Sequence, residues 1–154
     1  MARRRLTPAV ALGPDSPLHG LAGPRGCPTE KQEQQWADRF IVGSLGGTRS
    51  NFSQARPSMQ TPGIPDRRYW AVGLAFWWEM KAEDGRLSPA QDEYLTRELD
   101  HGALGGCGTY QDLIQYVEDA RAVRSPEVRV ALGRQLVAKW KQTPAQRRPD
   151  KEAR

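Results

Sequence analysis

The sequence predicts an α/β domain with a mixed central sheet flanked by helices, in the chain order helix, strand, strand, strand, helix, strand, followed by one further helix. Three observations carry this prediction. Thr29…Gln32 and Ser88…Gln91 have the spacing of a capping box, each ahead of apolar residues at helical intervals. Leu74-Ala75-Phe76-Trp77-Trp78 is an apolar run rich in aromatic residues, the signature of a central strand. Gly73 joins that run directly to the strand-like residues before it, which makes an antiparallel hairpin.

In chain order, the first helix takes Thr29 as its N-cap, puts Trp36, Phe40 and Ile41 on one face, and stops at Gly43 or shortly after, near Gly46-Gly47. Residues 48–61 are polar and hold one irregular strand before Pro62-Gly63-Ile64-Pro65 turns the chain. Strands follow at 67–72 and 74–81. The second helix has Ser88 as cap, Pro89 in its first turn, and Tyr94, Leu95 and Leu99 as its buried face; it ends at His101-Gly102. A short strand at 103–109 leads into a helix from Tyr110 to about Ala122, with Leu113, Ile114 and Val117 inward. Pro126 opens the last helix, where Val128, Leu132, Leu136 and Trp140 recur every four residues.

A chain of 154 residues supports one core of ordinary size. Its mean hydropathy of -0.72, with 15 Gly and 12 Pro, indicates that part of the length lies outside that core. The expected divisions are a disordered basic arm at 1–28, the main domain at 29–122, the C-terminal helix at 123–142 and a charged tail at 143–154. Charge follows the same divisions. Residues 1–29 carry four Arg against Asp15 (+3), residues 30–120 nine basic against fourteen acidic (-5), and residues 121–154 ten basic against three acidic (+7). Basic ends suit a polyanion, and an acidic middle suits a metal. Zinc chemistry lacks ligands, since the cysteines are Cys27 and Cys107 and the histidines are His19 and His101, in turn-like sequence. No apolar run reaches membrane-spanning length, so neither a membrane partner nor a location outside the cytoplasm is expected.

Chemistry concentrates at Pro65-Asp66 and Glu79-Met80-Lys81. Alternate strand residues share a face, so Glu79 and Lys81 point out together and Asp66 can meet them from the neighbouring strand. Asp66, Glu79 and the Met80 carbonyl suit a magnesium or manganese ion, and Lys81 can position a water and stabilise charge. Metal-assisted cleavage of a phosphodiester needs that combination. Each residue also has an ordinary explanation: Glu-x-Lys on a strand is commonly a solvent-face ion pair, and Pro-Asp commonly opens a turn.

The wider pattern is more specific: Gly63-Ile64-Pro65-Asp66, then Glu79-Met80-Lys81, then Gly85-Arg86-Leu87-Ser88-Pro89-Ala90-Gln91. It resembles the VRR-NUC family of the PD-(D/E)XK nuclease superfamily over about residues 29–120. The resemblance implies a restriction-endonuclease-like αβββαβ core and a Mg2+-dependent (or Mn2+-dependent) DNA endonuclease. It implies Asp66 and Glu79 as metal ligands, Lys81 as the catalytic lysine, Gln91 as a supporting residue of the catalytic set, and Glu30 on the first helix completing the metal environment. Glu33, one turn on, competes with Glu30. The capping box alone accounts for Gln91.

Arg67 and Arg68 depart from the family's apolar strand; with Arg49 and Arg56 they are candidate DNA-phosphate contacts. Trp70, Trp77 and Trp78 could stack on unpaired bases, but aromatic residues in such strands usually form core. Small members of the family resemble Holliday-junction resolvases and are often phage-encoded, so the resemblance further implies DNA as partner, branched DNA included. It also implies a homodimer, with the stripe on the last helix as one possible contact. Rival readings are a non-catalytic DNA-binding protein and a phage assembly protein.

Overall fold

Side-chain alternation in one central strand organises the molecule. The computed structural model describes residues 27–52 and 61–148. Its four strands, β1 (Thr48–Asn51), β2 (Arg67–Ala71), β3 (Leu74–Met80) and β4 (Leu104–Gly108), form one mixed sheet in that order. The first three are antiparallel and β4 runs parallel to β3. The parallel pair is possible because a helix crosses over between them. The helices are α1 (Glu30–Asp38), α2 (Pro89–Asp100), α3 (Tyr110–Ala122), α4 (Pro126–Lys141) and the single turn α5 (Pro144–Arg147).

Leu74, Phe76, Trp78 and Met80 of β3 join Tyr69 and Ala71 of β2 in a core closed by Ala37, Ile41, Leu113 and Val117. Trp77 and Cys107 face the other way, onto Leu87, Leu95, Leu99, Val137 and Trp140. Each fully buried large side chain is worth about 1.5–3 kcal/mol, so both faces of β3 hold the sheet between helices. The capping boxes at Thr29/Gln32 and Ser88/Gln91 are both formed.

Helix α4 lies along β4 so closely that a Cβ on Gly133 would overlap the Gly105 carbonyl. Its Leu132 and Leu136 reach one core while Val137 and Trp140 enter the other. The stripe offered above as a dimer contact is therefore largely spent on the chain's own sheet; Val128 stays 44% exposed.

Three local features differ from the sequence reading. Helix α1 runs on as a π-helical turn, Arg39–Ser44, that widens before Leu45. The hairpin turn is Val72-Gly73 rather than Gly73 alone, with both residues at positive φ (48° and 77°), because two-residue hairpins need left-handed central residues. Residues 143–148 are more than a tail: Thr143 caps α5, and Arg147 stacks on Trp140 at 4.0 Å. Residues 1–26 of the basic arm, Arg56 and residues 149–154 lie outside the described residues. Among the described residues no helix is long and apolar enough to cross a membrane.

Candidate metal centre

Asp66 stands immediately before β2, held by the turn that precedes it. Gly63 has φ +77°, and a Cβ there would overlap the backbone of Ala90, so this turn rests directly on the first turn of α2. Pro65 is fully buried behind it. The Gly-x-Pro-Asp pattern is thus a packing requirement that fixes Asp66 relative to Gln91.

Glu79, near the end of β3, is 2% exposed. Its Oε2 accepts the Asp66 main-chain N–H at 3.2 Å. Its Oε1 accepts the Gln91 side-chain amide at 2.5 Å and lies 3.1 Å from Lys81 Nζ. The Met80 backbone, beside Asp66, favours the ionised form of that carboxylate. The Lys81 N–H bonds to the Gly108 carbonyl at 2.9 Å, so β4 anchors the lysine just past the end of β3. Gln91 serves two ends at once. Its Oε1 accepts the Ser88 N–H at 2.9 Å, which leaves its NH2 to face Glu79.

Glu30 completes the cluster from the first turn of α1: one oxygen from each of Glu30, Asp66 and Glu79 lies within 4.8 Å of the others. Glu33 points elsewhere. It is 5% exposed and accepts the Tyr110 N–H at 2.8 Å, acting as a cap for α3.

Burial raises the pKa of all three clustered acids. For Glu79 it does so to about 8, helped by the charge of Asp66 and opposed by Lys81. Desolvation likewise raises Asp66, against the pull of Lys81 and Arg67, and raises Glu30, whose carboxyl end sits among neighbours although the residue as a whole is exposed. Three ionised carboxylates and one ammonium leave a charge of -2, which one divalent cation would neutralise. The donors are all oxygen, which suits Mg2+, Mn2+ and Ca2+ alike.

The candidate phosphate-binding arginines separate. Arg67 does not face the centre: it is tied to Asp38 through Nε at 3.1 Å and a second nitrogen at 3.2 Å, with its side chain 12% exposed. Arg49 joins the same Asp38 at 2.9 Å. Arg68 lies on the opposite face of β2, its guanidinium 4.8 Å over the Trp77 ring. Trp78 and Trp77 are core, whereas Trp70 is 39% exposed.

Two supports escaped the sequence reading. Asp38 gathers Arg49, Arg67 and the Tyr69 hydroxyl, a grouping that alternation along β2 could have suggested. Arg147 donates to the Glu83 and Gly85 carbonyls at 2.8 and 2.6 Å, closing the turn after Lys81; no sequence signal marks it.

Comparison of the chain with protein-family models, curated proteins and solved structures found no match.

Proposed function

We propose that this chain is a divalent-metal-dependent endonuclease acting on DNA, with a restriction-endonuclease-like core and kinship to the VRR-NUC family. The observation that carries the reading is the convergence of Glu30, Asp66 and Glu79 within 4.8 Å, with Lys81 Nζ 3.1 Å from Glu79. A structural ion pair needs one carboxylate for its lysine; here there are three, brought from a helix, a turn and a strand. The element order α-β-β-β-α-β supports the core assignment.

When bound there, magnesium or manganese would polarise a phosphoryl oxygen and lower the pKa of a water. Glu30, Asp66 and Glu79 supply its oxygen ligands. Gln91 keeps Glu79 turned toward that position, and the capping box keeps Gln91 from rotating. Lys81 donates to the attacking water or to the charge that develops on phosphorus-bound oxygen. Hydrolysis adds the water oxygen to phosphorus, breaks the bond to the leaving oxygen, and passes a proton to that oxygen.

On the same reading, cutting of branched DNA requires two copies of the chain acting together, through a surface other than the buried part of α4. The test is incubation of the purified chain with a four-way junction and with its linear duplex arms, in Mg2+, Mn2+ or EDTA. Metal-dependent cleavage that Asp66→Asn abolishes is expected. Binding without cleavage in either metal contradicts the proposal.

A further inference from the structure

Alternation along β2 puts Asp66, Arg68 and Trp70 on one face and Arg67, Tyr69 and Ala71 on the other. Opposite them, Arg68 pairs with Trp77 and Trp70 with Ala75 on β3, while Ser50 and Thr48 of β1 lie across from the same two residues. A path therefore leaves the acidic centre in steps of about 7 Å, first to Arg68 and then to Trp70.

The two adjacent arginines have opposite fates. Arg67 is consumed by Asp38. The Arg68 guanidinium lies over two aromatic rings, 4.8 Å from the centroid of Trp77 and 5.8 Å from that of Trp70, and has no hydrogen bond or ion pair among the described residues. Glu98, the carboxylate beside Trp77, accepts that indole's N–H at 3.2 Å. A second cation, Arg97, sits 5.3 Å over Tyr94, whose ring meets Trp77 edge-on.

Trp70 is left open because its cross-strand neighbours, Thr48 and Ala75, are small. Trp70 also lines, with Gly46, Gly47 and Gly73, an open cavity of about 480 Å³ at the hairpin end of the sheet. A guanidinium with no partner among the described residues, followed one step on by an indole that is 39% exposed, matches the alternation of phosphate and base in an unpaired strand. In a duplex the bases are stacked and cannot reach the ring.

We infer that this face of β2 is a seat for a single nucleic-acid strand leading to or from the metal centre, with Arg68 holding a phosphate and Trp70 stacking on an unpaired base. The inference rests on the endonuclease reading and narrows its substrate to DNA with an unstacked strand beside the cut.

The test measures fluorescence anisotropy of a labelled short thymidine oligonucleotide and of a blunt duplex with the full chain in EDTA, so metal chemistry does not enter. The oligonucleotide should bind about tenfold more tightly than the duplex and quench tryptophan emission. Trp70→Ala and Arg68→Ala should each weaken it by about tenfold while leaving duplex binding unchanged. Trp70→Phe should restore most of the affinity, and Arg68→Ala should lower the salt slope by about 0.7. Equal affinity for the two probes, or folded Trp70→Ala and Arg68→Ala variants that bind the oligonucleotide like wild type, overturns the inference. So does a Trp70→Ala variant that dissociates a dimer in sedimentation while oligonucleotide binding is untouched, since the face then belongs to a second copy. A chain that binds as expected but never cuts loses the endonuclease reading and keeps the seat; one that cuts without preferring the oligonucleotide loses only the seat.

Discussion

Asp38 at the end of α1 and Asp66 at the start of β2 are joined through Arg67, which bonds to the Asp38 carboxylate and to the Asp66 carbonyl. Around Asp38, two guanidinium groups and a tyrosine hydroxyl converge on one carboxylate. Around Asp66, two further carboxylates converge with one ammonium. The first centre is closed: its charge is answered from within the fold, and it fastens α1 to β1 and β2. The second has more acid than base, and burial raises the pKa of its acids. Linked through one arginine, the two differ in balance: base exceeds acid around Asp38, and acid exceeds base around Asp66.

The largest separation between the centres comes from removing their aspartates. Asp66→Ala, or Lys81→Ala, should lower cleavage by about a thousandfold. Asp66→Ala should also leave the metal-free protein at least as stable to urea, because a like charge is gone. Asp38→Ala should instead cost about 3 kcal/mol of stability, since Arg67 is left nearly buried and unpaired.

A smaller loss is expected at Gln91, which belongs to both fold and site. Gln91→Ala should lower cleavage by about tenfold and stability by about 1 kcal/mol, read by kinetics and urea unfolding.

The pH dependence sharpens the contrast further. Glu79 is pushed up to about 8 and Glu33 to about 7, both chiefly by burial. Above the ordinary glutamate range, the folded state then binds more protons than the unfolded state. Stability of the metal-free protein should fall as pH rises from about 5 to about 8, the reverse of a salt-bridged acid. Thermal melts should show this decline, and Mg2+ should offset it increasingly toward pH 8. In Glu33→Gln the Mg2+ effect should persist while the decline becomes shallower. The smallest effect lies away from both centres: Val72→Asn should change stability by less than about 1 kcal/mol, because relief of the left-handed strain at a β-branched residue is offset by the loss of its packing against the core.

Much of this frame is legible in the sequence because its signals are local. Capping boxes mark α1 and α2, the aromatic run marks β3, and Pro126 marks α4. The motif residues are legible too, since Asp66, Glu79 and Lys81 obey strand alternation. What was hidden depends on distant partners. Glu30 and Glu33 are both acids in the first turn of α1, and only the packing of α1 against α3 turns Glu33 onto Tyr110 and leaves Glu30 at the centre. Arg67 and Arg68 look equivalent until the sheet assigns them faces. Val72 carries no turn signal, and Arg147 reaches back to Gly85 across 62 residues.

Titration of the metal-free chain with Mn2+ at pH 8, followed by electron paramagnetic resonance, tests the acidic excess directly. Wild type and Glu33→Gln should bind Mn2+ alike, while Asp66→Asn and Glu30→Gln should lose or greatly weaken that binding. No bound Mn2+ in the wild type, or equal binding in all four proteins, would contradict the assignment of Glu30, Asp66 and Glu79 as a metal centre.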